Sequence, residues 1–151
     1  MLKPGDRAPD FTLLSDKNEQ VSLSDFLGKS DVILYFYPKD NTSGCTKEAC
    51  SFRDNLDEIK TKNAVVLGVS PDSIKSHQSF INKHGLNFTL LSDPEHKVAD
   101  AYGAWGEKSM YGKKYWGILR STFIIGKNGI IKHVFEKVKT AVHGEEVLEI
   151  L

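Results

Sequence analysis

The chain has 151 residues, 40% hydrophobic and 26% charged, and its twenty basic and twenty acidic side chains cancel. A balanced charge leaves no electrostatic footprint for nucleic acid or an anionic membrane. A chain of this length also buries a core without disulfide staples, so its two cysteines need not be structural.

The start, MLKPGDRAPDF, places Lys3, Asp6 and Arg7 and prolines 4 and 9 where a signal peptide needs an apolar core. It reads as a cytoplasmic protein. The longest apolar run, Val32 to Tyr37, is too short to cross a bilayer. FTLLS and VSLSDF then flank the polar stretch DKNEQ, a hairpin signal. DVILYFY is continuously apolar, as expected of a strand covered on both faces.

After a loop from Pro38 to Gly44, a helix is predicted from about Ser43 to Lys62, because Ala49, Phe52, Leu56 and Ile59 recur at helical spacing. AVVLGVS reads as a second buried strand, SIKSHQSFINKHG as a helix closed by Gly85, and FTLLSD as a third strand. HKVADAYG is a short helix ending at Gly103. Residues Ala104 to Leu119, rich in glycine and aromatics without a clear period, read as a long loop whose exposed aromatics, Trp105 or Trp116, offer a dimer surface. STFIIGKNGIIKHVFEKV is a hairpin turned at GKNG, and a last helix ends near EEVLEIL. This order predicts an α/β thioredoxin-like fold over residues 1–151 as a single domain: a central mixed sheet, parallel strands followed by an antiparallel pair, with helices on both faces.

Both cysteines, Cys45 and Cys50, fall at the start of the first long helix. Unpaired backbone N–H groups and the positive end of the helix dipole favour an anion there, and a thiolate is one. Thr42 or Ser43 is the expected N-cap. Ideal helix geometry puts the two Cα atoms roughly 8–9 Å apart, beyond the ~7 Å that a disulfide tolerates. If they pair, part of the helix must unwind, which argues for a transient bond with Cys50 as the moving partner; an inert thiol is the alternative for each. Zinc sites need four ligands, and the five histidines (77, 84, 96, 133 and 143) are scattered, so neither a metal nor a cofactor is expected. His77 lies between Ile74 and Ile81 on a helix face, where a packed imidazole is the default.

YFYPKDNTSGCTKEACSFRD, with GDRAPDFTL before it and GILRSTFIIGKNG after it, resembles the peroxiredoxins, most closely the bacterioferritin comigratory protein or peroxiredoxin Q group. The likeness extends to NFTLLSD, YGAWGEKSMYGKKYWGI and HGEEVLEIL. It implies a peroxidatic Cys45 and a resolving Cys50. Thr42 and Arg120 would position the peroxide, Pro38 would shield the sulfur, and Glu48 would orient Arg120 unless it is simply a solvated surface carboxylate. It also implies peroxide as substrate, thioredoxin or a similar dithiol as reductant, and a monomer more often than a dimer. Three residues depart from the group's habit: Ser43 where proline is usual, Trp116 where methionine is common, and Gly126 in place of a frequent aspartate. Ser43 matters most, since it leaves the first turn less rigid.

Acidity alone does not make such a peroxidase. Lowering a thiol from about 8.5 to about 6 raises the thiolate fraction at pH 7 roughly 30-fold, or ~2 kcal/mol. Falling nucleophilicity cancels about tenfold of that gain. The remaining acceleration has to come from groups that hold the peroxide oxygens: Thr42, the backbone N–H of Cys45 and Arg120. Two other readings compete. A thiol–disulfide oxidoreductase lacks its C-x-x-C and the proline before STFII. A redox sensor or chaperone-like binding module would show negligible turnover.

Overall fold

The computed structural model describes all 151 residues, Met1–Leu151. In chain order the strands and helices are β1 (Thr12–Ser15), β2 (Gln20–Ser22), β3 (Asp31–Phe36), α1 (Ser43–Thr61), β4 (Ala64–Ser70), α2 (Ile74–His84), β5 (Thr89–Ser92), α3 (Lys97–Tyr102), β6 (Trp105–Met110), β7 (Lys113–Ile118), β8 (Ser121–Ile125), β9 (Ile131–Phe135) and α4 (His143–Ile150). Seven strands form one mixed sheet in the order β2-β1-β5-β4-β3-β8-β9. β3, β4 and β5 run parallel, and β8 pairs antiparallel with β3 and with β9.

The apolar run of β3 is central because both its faces are covered. Val32, Leu34 and Phe36 join Phe11, Ala99, Tyr102 and Phe123 on the α3 side. Ile33 and Tyr35 join Phe52 and Ile59 of α1, Phe80 of α2 and Val147 of α4 on the other. Each face therefore has its own core, and the two-residue side-chain period of the strand divides them. Gly85 ends α2 in the left-handed conformation, as the sequence suggests. No helix is long and apolar enough to cross a membrane.

The long loop expected from Ala104 to Leu119 is instead a two-stranded ribbon. β6 and β7 pair from Trp105 with Ile118 to Met110 with Lys113. Tyr111 and Gly112 turn it with φ of 52° and 78°, the pair of positive angles that suits a tight hairpin. Its strands carry charges and glycines and remain largely exposed, so no apolar alternation announced them in the sequence. Trp105 is not an exposed aromatic either: it is half-buried and stacked on His96, with ring centroids 3.6 Å apart, whereas Trp116 is 63% exposed.

Candidate active site

α1 begins where the chain leaves the C-terminal end of β3, so its first turn and the preceding loop sit at that edge of the parallel strands. The loop is anchored by Asp40. Its carboxylate accepts the Tyr37 hydroxyl at 2.6 Å and the Ser76 hydroxyl at 2.8 Å and lies 2.8 Å from His77 Nδ1, while its backbone N–H donates to Asp72 at 2.7 Å. His77 is fully buried, with Nε2 2.9 Å from the Leu91 carbonyl, the packed imidazole its position suggested.

Thr42 occupies the N-cap position but does not cap the helix. Its hydroxyl donates backwards to the Lys39 carbonyl at 2.8 Å. The first-turn N–H groups, which have no partner within a helix, are thus left to face whatever anion enters beside Cys45. Pro38 is half-buried in the same loop.

Cys45 is buried with a free thiol; Cys50, also free, is half-buried one and a half turns further on. Arg120, immediately before β8, donates from Nη2 to Cys45 Sγ at 3.2 Å and from Nη1 to Glu48 Oε1 at 2.6 Å. Gly44 admits this approach: a Cβ there would lie 3.3 Å from Nη2 and crowd it. One guanidinium therefore bridges the sulfur and a carboxyl three residues along the same helix.

Glu48 is not a solvated surface carboxylate, the bland alternative for its position; it is completely buried. Burial pushes its carboxyl up from 4.5 to about 7, although the Arg120 charge pulls the other way. Burial works against the Arg120 charge too, but Glu48 and Cys45 outweigh it and raise Arg120 further, keeping it a cation. Glu48 Oε2 makes no hydrogen bond. It faces His143 Nε2 at 4.0 Å, and His143 is held in turn by Thr122 at 2.7 Å and Glu146 at 2.9 Å.

The structure thus brings Cys45, Arg120 and Glu48 into direct contact and keeps Cys50, Thr42 and Pro38 on the same helix and its leading loop. The residues that sequence reasoning missed are His143, Thr122 and Glu146 behind Glu48, and Asp40 under the loop. His143 opens the HGEEVLEIL stretch, but nothing local in that stretch shows that it packs on α1. A groove of about 470 Å³ between the β1 region and α3, lined by Phe11, Leu13, Pro94, Val98 and Tyr102, contains neither cysteine. The chemistry-bearing groups lie elsewhere. What they form is a buried sulfur held by a cation at a helix start, suited to nucleophilic attack and to stabilising negative charge on a leaving oxygen.

Residues 4–134 match the AhpC/TSA family. Among curated proteins, the chain is 52% identical over 147 residues to the putative peroxiredoxin bcp of Coxiella burnetii, covering 97% of each. It is 50% identical to the peroxiredoxin Bcp of Escherichia coli K12, covering 97% of this chain and 94% of that one. Among solved structures it is similar to the Xanthomonas campestris bacterioferritin comigratory protein, described for its alkyl peroxide reduction activity, with a TM-score of 0.86, 39% identity and coverage of 92% and 88%. A cysteine-to-serine mutant of Xylella fastidiosa PrxQ superposes with a TM-score of 0.92 at 39% identity, covering 99% of this chain and 94% of that one.

Proposed function

Because this chain belongs to the AhpC/TSA family as a peroxiredoxin, we propose that Cys45 is its peroxidatic cysteine and Cys50 its resolving cysteine. The protein is a thiol-dependent peroxidase. The observation that carries the assignment is the Arg120 guanidinium, which touches Cys45 Sγ and the buried Glu48 together. Hydrogen peroxide and organic hydroperoxides are its substrates.

The Cys45 thiolate attacks one peroxide oxygen. A sulfur–oxygen bond forms as the O–O bond breaks, and the other oxygen departs with the bonding pair, takes a proton and leaves as water or an alcohol. Arg120 and the Cys45 backbone N–H stabilise charge on that leaving oxygen. Thr42 orients the peroxide, Pro38 shields the sulfur from water, and Glu48 holds Arg120 in place. The sulfenic acid on Cys45 then condenses with Cys50: the Cys50 sulfur bonds to the Cys45 sulfur, and the hydroxyl leaves as water. A dithiol reductant, thioredoxin or a close equivalent, returns both thiols with two electrons and two protons.

In the intact helix the two cysteines are five residues apart and both free, so condensation requires the first turns of α1 to unwind. Ser43, without the fixed φ of the usual proline, eases that step. We read residues 1–151 as one peroxiredoxin domain, acting as a monomer in the reducing cytoplasm that two free thiols suit.

The test is peroxide consumption coupled to thioredoxin and its reductase for wild type, Cys45→Ser and Cys50→Ser. Turnover should vanish with Cys45→Ser and stop after one equivalent with Cys50→Ser. Full thioredoxin-linked turnover in Cys50→Ser would remove Cys50 from the cycle.

A further inference from the structure

Behind Arg120 lies a second line of polar side chains that do not touch the sulfur or the peroxide. His143 is completely buried at the start of α4, with Phe52 and Phe135 set edge-on to its ring at centroid distances of 5.3 and 5.0 Å. Its Nδ1 lies 2.9 Å from Glu146 Oε1, which also accepts the Lys139 backbone N–H. A carboxylate oxygen only accepts, so Nδ1 carries the hydrogen. Nε2 is then the acceptor of the Thr122 hydroxyl at 2.7 Å. Thr122 and Glu146 hold the ring with Nε2 4.0 Å from Glu48 Oε2, the oxygen that has no partner of its own.

We propose that His143 is a positioning residue of the peroxidase centre: it closes on the free Oε2 of Glu48 and so fixes the carboxyl that holds Arg120 against Cys45. The proposal rests on the assignment of Cys45 and Arg120 above.

Nε2 and an ionised Oε2 are both acceptors and do not attract each other, so the contact closes only when a proton sits between them. Around Glu48 stand Cys45 on its own helix, Tyr35 of β3, Arg120, and His143 and Glu146 of α4. Around His143 stand Glu48, Glu146, Arg120 and the non-titrating Thr122. Burial raises Glu48 to about 7 and lowers His143, against the opposing pull of Glu146, so the shared proton belongs to the carboxyl. The sign follows. Below about 7 Glu48 keeps its proton and Oε2–H takes the single Nε2 lone pair as the Thr122 hydroxyl rotates to release it; above it the proton is lost, the contact opens and Thr122 donates to Nε2 again.

The test uses the second-order rate of Cys45 oxidation by hydrogen peroxide in a Cys50→Ser background, for His143, His143→Leu and His143→Gln, across pH 6 to 8.5. Taking ratios cancels the common dependence on the Cys45 thiolate. At pH 6 His143→Leu should be about tenfold slower than the parent, the worth of one hydrogen bond, and the two should approach parity at pH 8.5. His143→Gln, whose amide serves Thr122 and Glu48 without titrating, should restore the parent's rate at pH 6. A parent-to-Leu ratio that does not change with pH, or a Gln variant as slow as Leu at pH 6, would overturn the proposal in favour of ring packing alone.

If His143→Leu fails to fold, the ring nitrogens decide. Their NMR signals should show Nε2 of His143 moving between pH 6 and 8.5 in the otherwise natural protein and standing still in Glu48→Gln, and an unchanged movement in Glu48→Gln would overturn the contact. Should the natural protein consume no peroxide at all, the peroxidase assignment fails instead, and these spectra still report whether His143 and Glu48 meet.

Discussion

Two buried carboxyl–histidine pairs flank the start of α1, and they differ in completeness. Before the helix, Asp40 and His77 are 2.8 Å apart, and each polar atom of the pair has a partner in Tyr37, Ser76 or Leu91. Within the helix, Glu48 and His143 stand 4.0 Å apart, and one Glu48 oxygen bonds nothing. A fully satisfied buried network rigidifies, whereas a partly satisfied one retains free energy that a proton or a movement can release. The first pair holds the loop that carries Pro38 and Thr42. The second lies in the turn between Cys45 and Cys50, the one that the proposed disulfide would require to unwind.

The largest effect should come from breaking the complete pair. Asp40→Ala leaves His77, Tyr37 and Ser76 without their common acceptor, and loss of one member of a buried pair costs about 3–5 kcal/mol. Chemical denaturation should show a loss of that size, together with slower peroxide reaction as the Pro38–Thr42 loop loosens.

The incomplete pair should show itself in pH dependence. With an ordinary carboxyl at 4.5 and the buried Glu48 at about 7, the folded state keeps a proton that the unfolded state has already lost. Its contribution to stability is therefore complete below 4.5, falls as pH rises to about 7, and is flat beyond. Glu48→Gln removes the titration, so the difference in unfolding free energy between wild type and this variant should change by about 3 kcal/mol across that window. A constant difference would mean that Glu48 does not hold its proton in the fold.

The smallest effect belongs to Ser43, between the two pairs. Ser43→Pro suits the first helical position and should stabilise the protein by about 0.4–1 kcal/mol. The same substitution should slow formation of the Cys45–Cys50 disulfide after a peroxide pulse, read by acid quench and thiol labelling. A faster disulfide step would contradict the unwinding account.

Much of this architecture is legible in the sequence because its signals are local. The continuous apolar runs of β3 and β4 mark strands covered twice, and the Ala49–Ile59 spacing marks the buried face of α1. The β6–β7 ribbon escapes because it is exposed and its turn is Tyr-Gly rather than Asn-Gly. The Thr42 cap fails for a different reason: its hydroxyl finds the Lys39 carbonyl first. At the site, a helix start marks Cys45, but Arg120 is 75 residues away from it and comes only with the family resemblance. His143 reaches Glu48 through tertiary packing of α4 on α1, and Thr122 of β8 holds its ring, which no spacing encodes.

The central claim is that the Arg120 bridge, rather than thiol acidity, makes Cys45 a peroxidase. It is tested most directly by measuring, for wild type and Arg120→Ala, both kcat/KM for hydrogen peroxide and the thiolate titration of Cys45 by ultraviolet absorbance. The expected result is a fall in kcat/KM of at least about 100-fold, the scale of losing a charged donor to a leaving oxygen, with a titration shift that accounts for only a few-fold of it. Equal losses in the two measurements would contradict the account and return the reaction to thiol acidity alone.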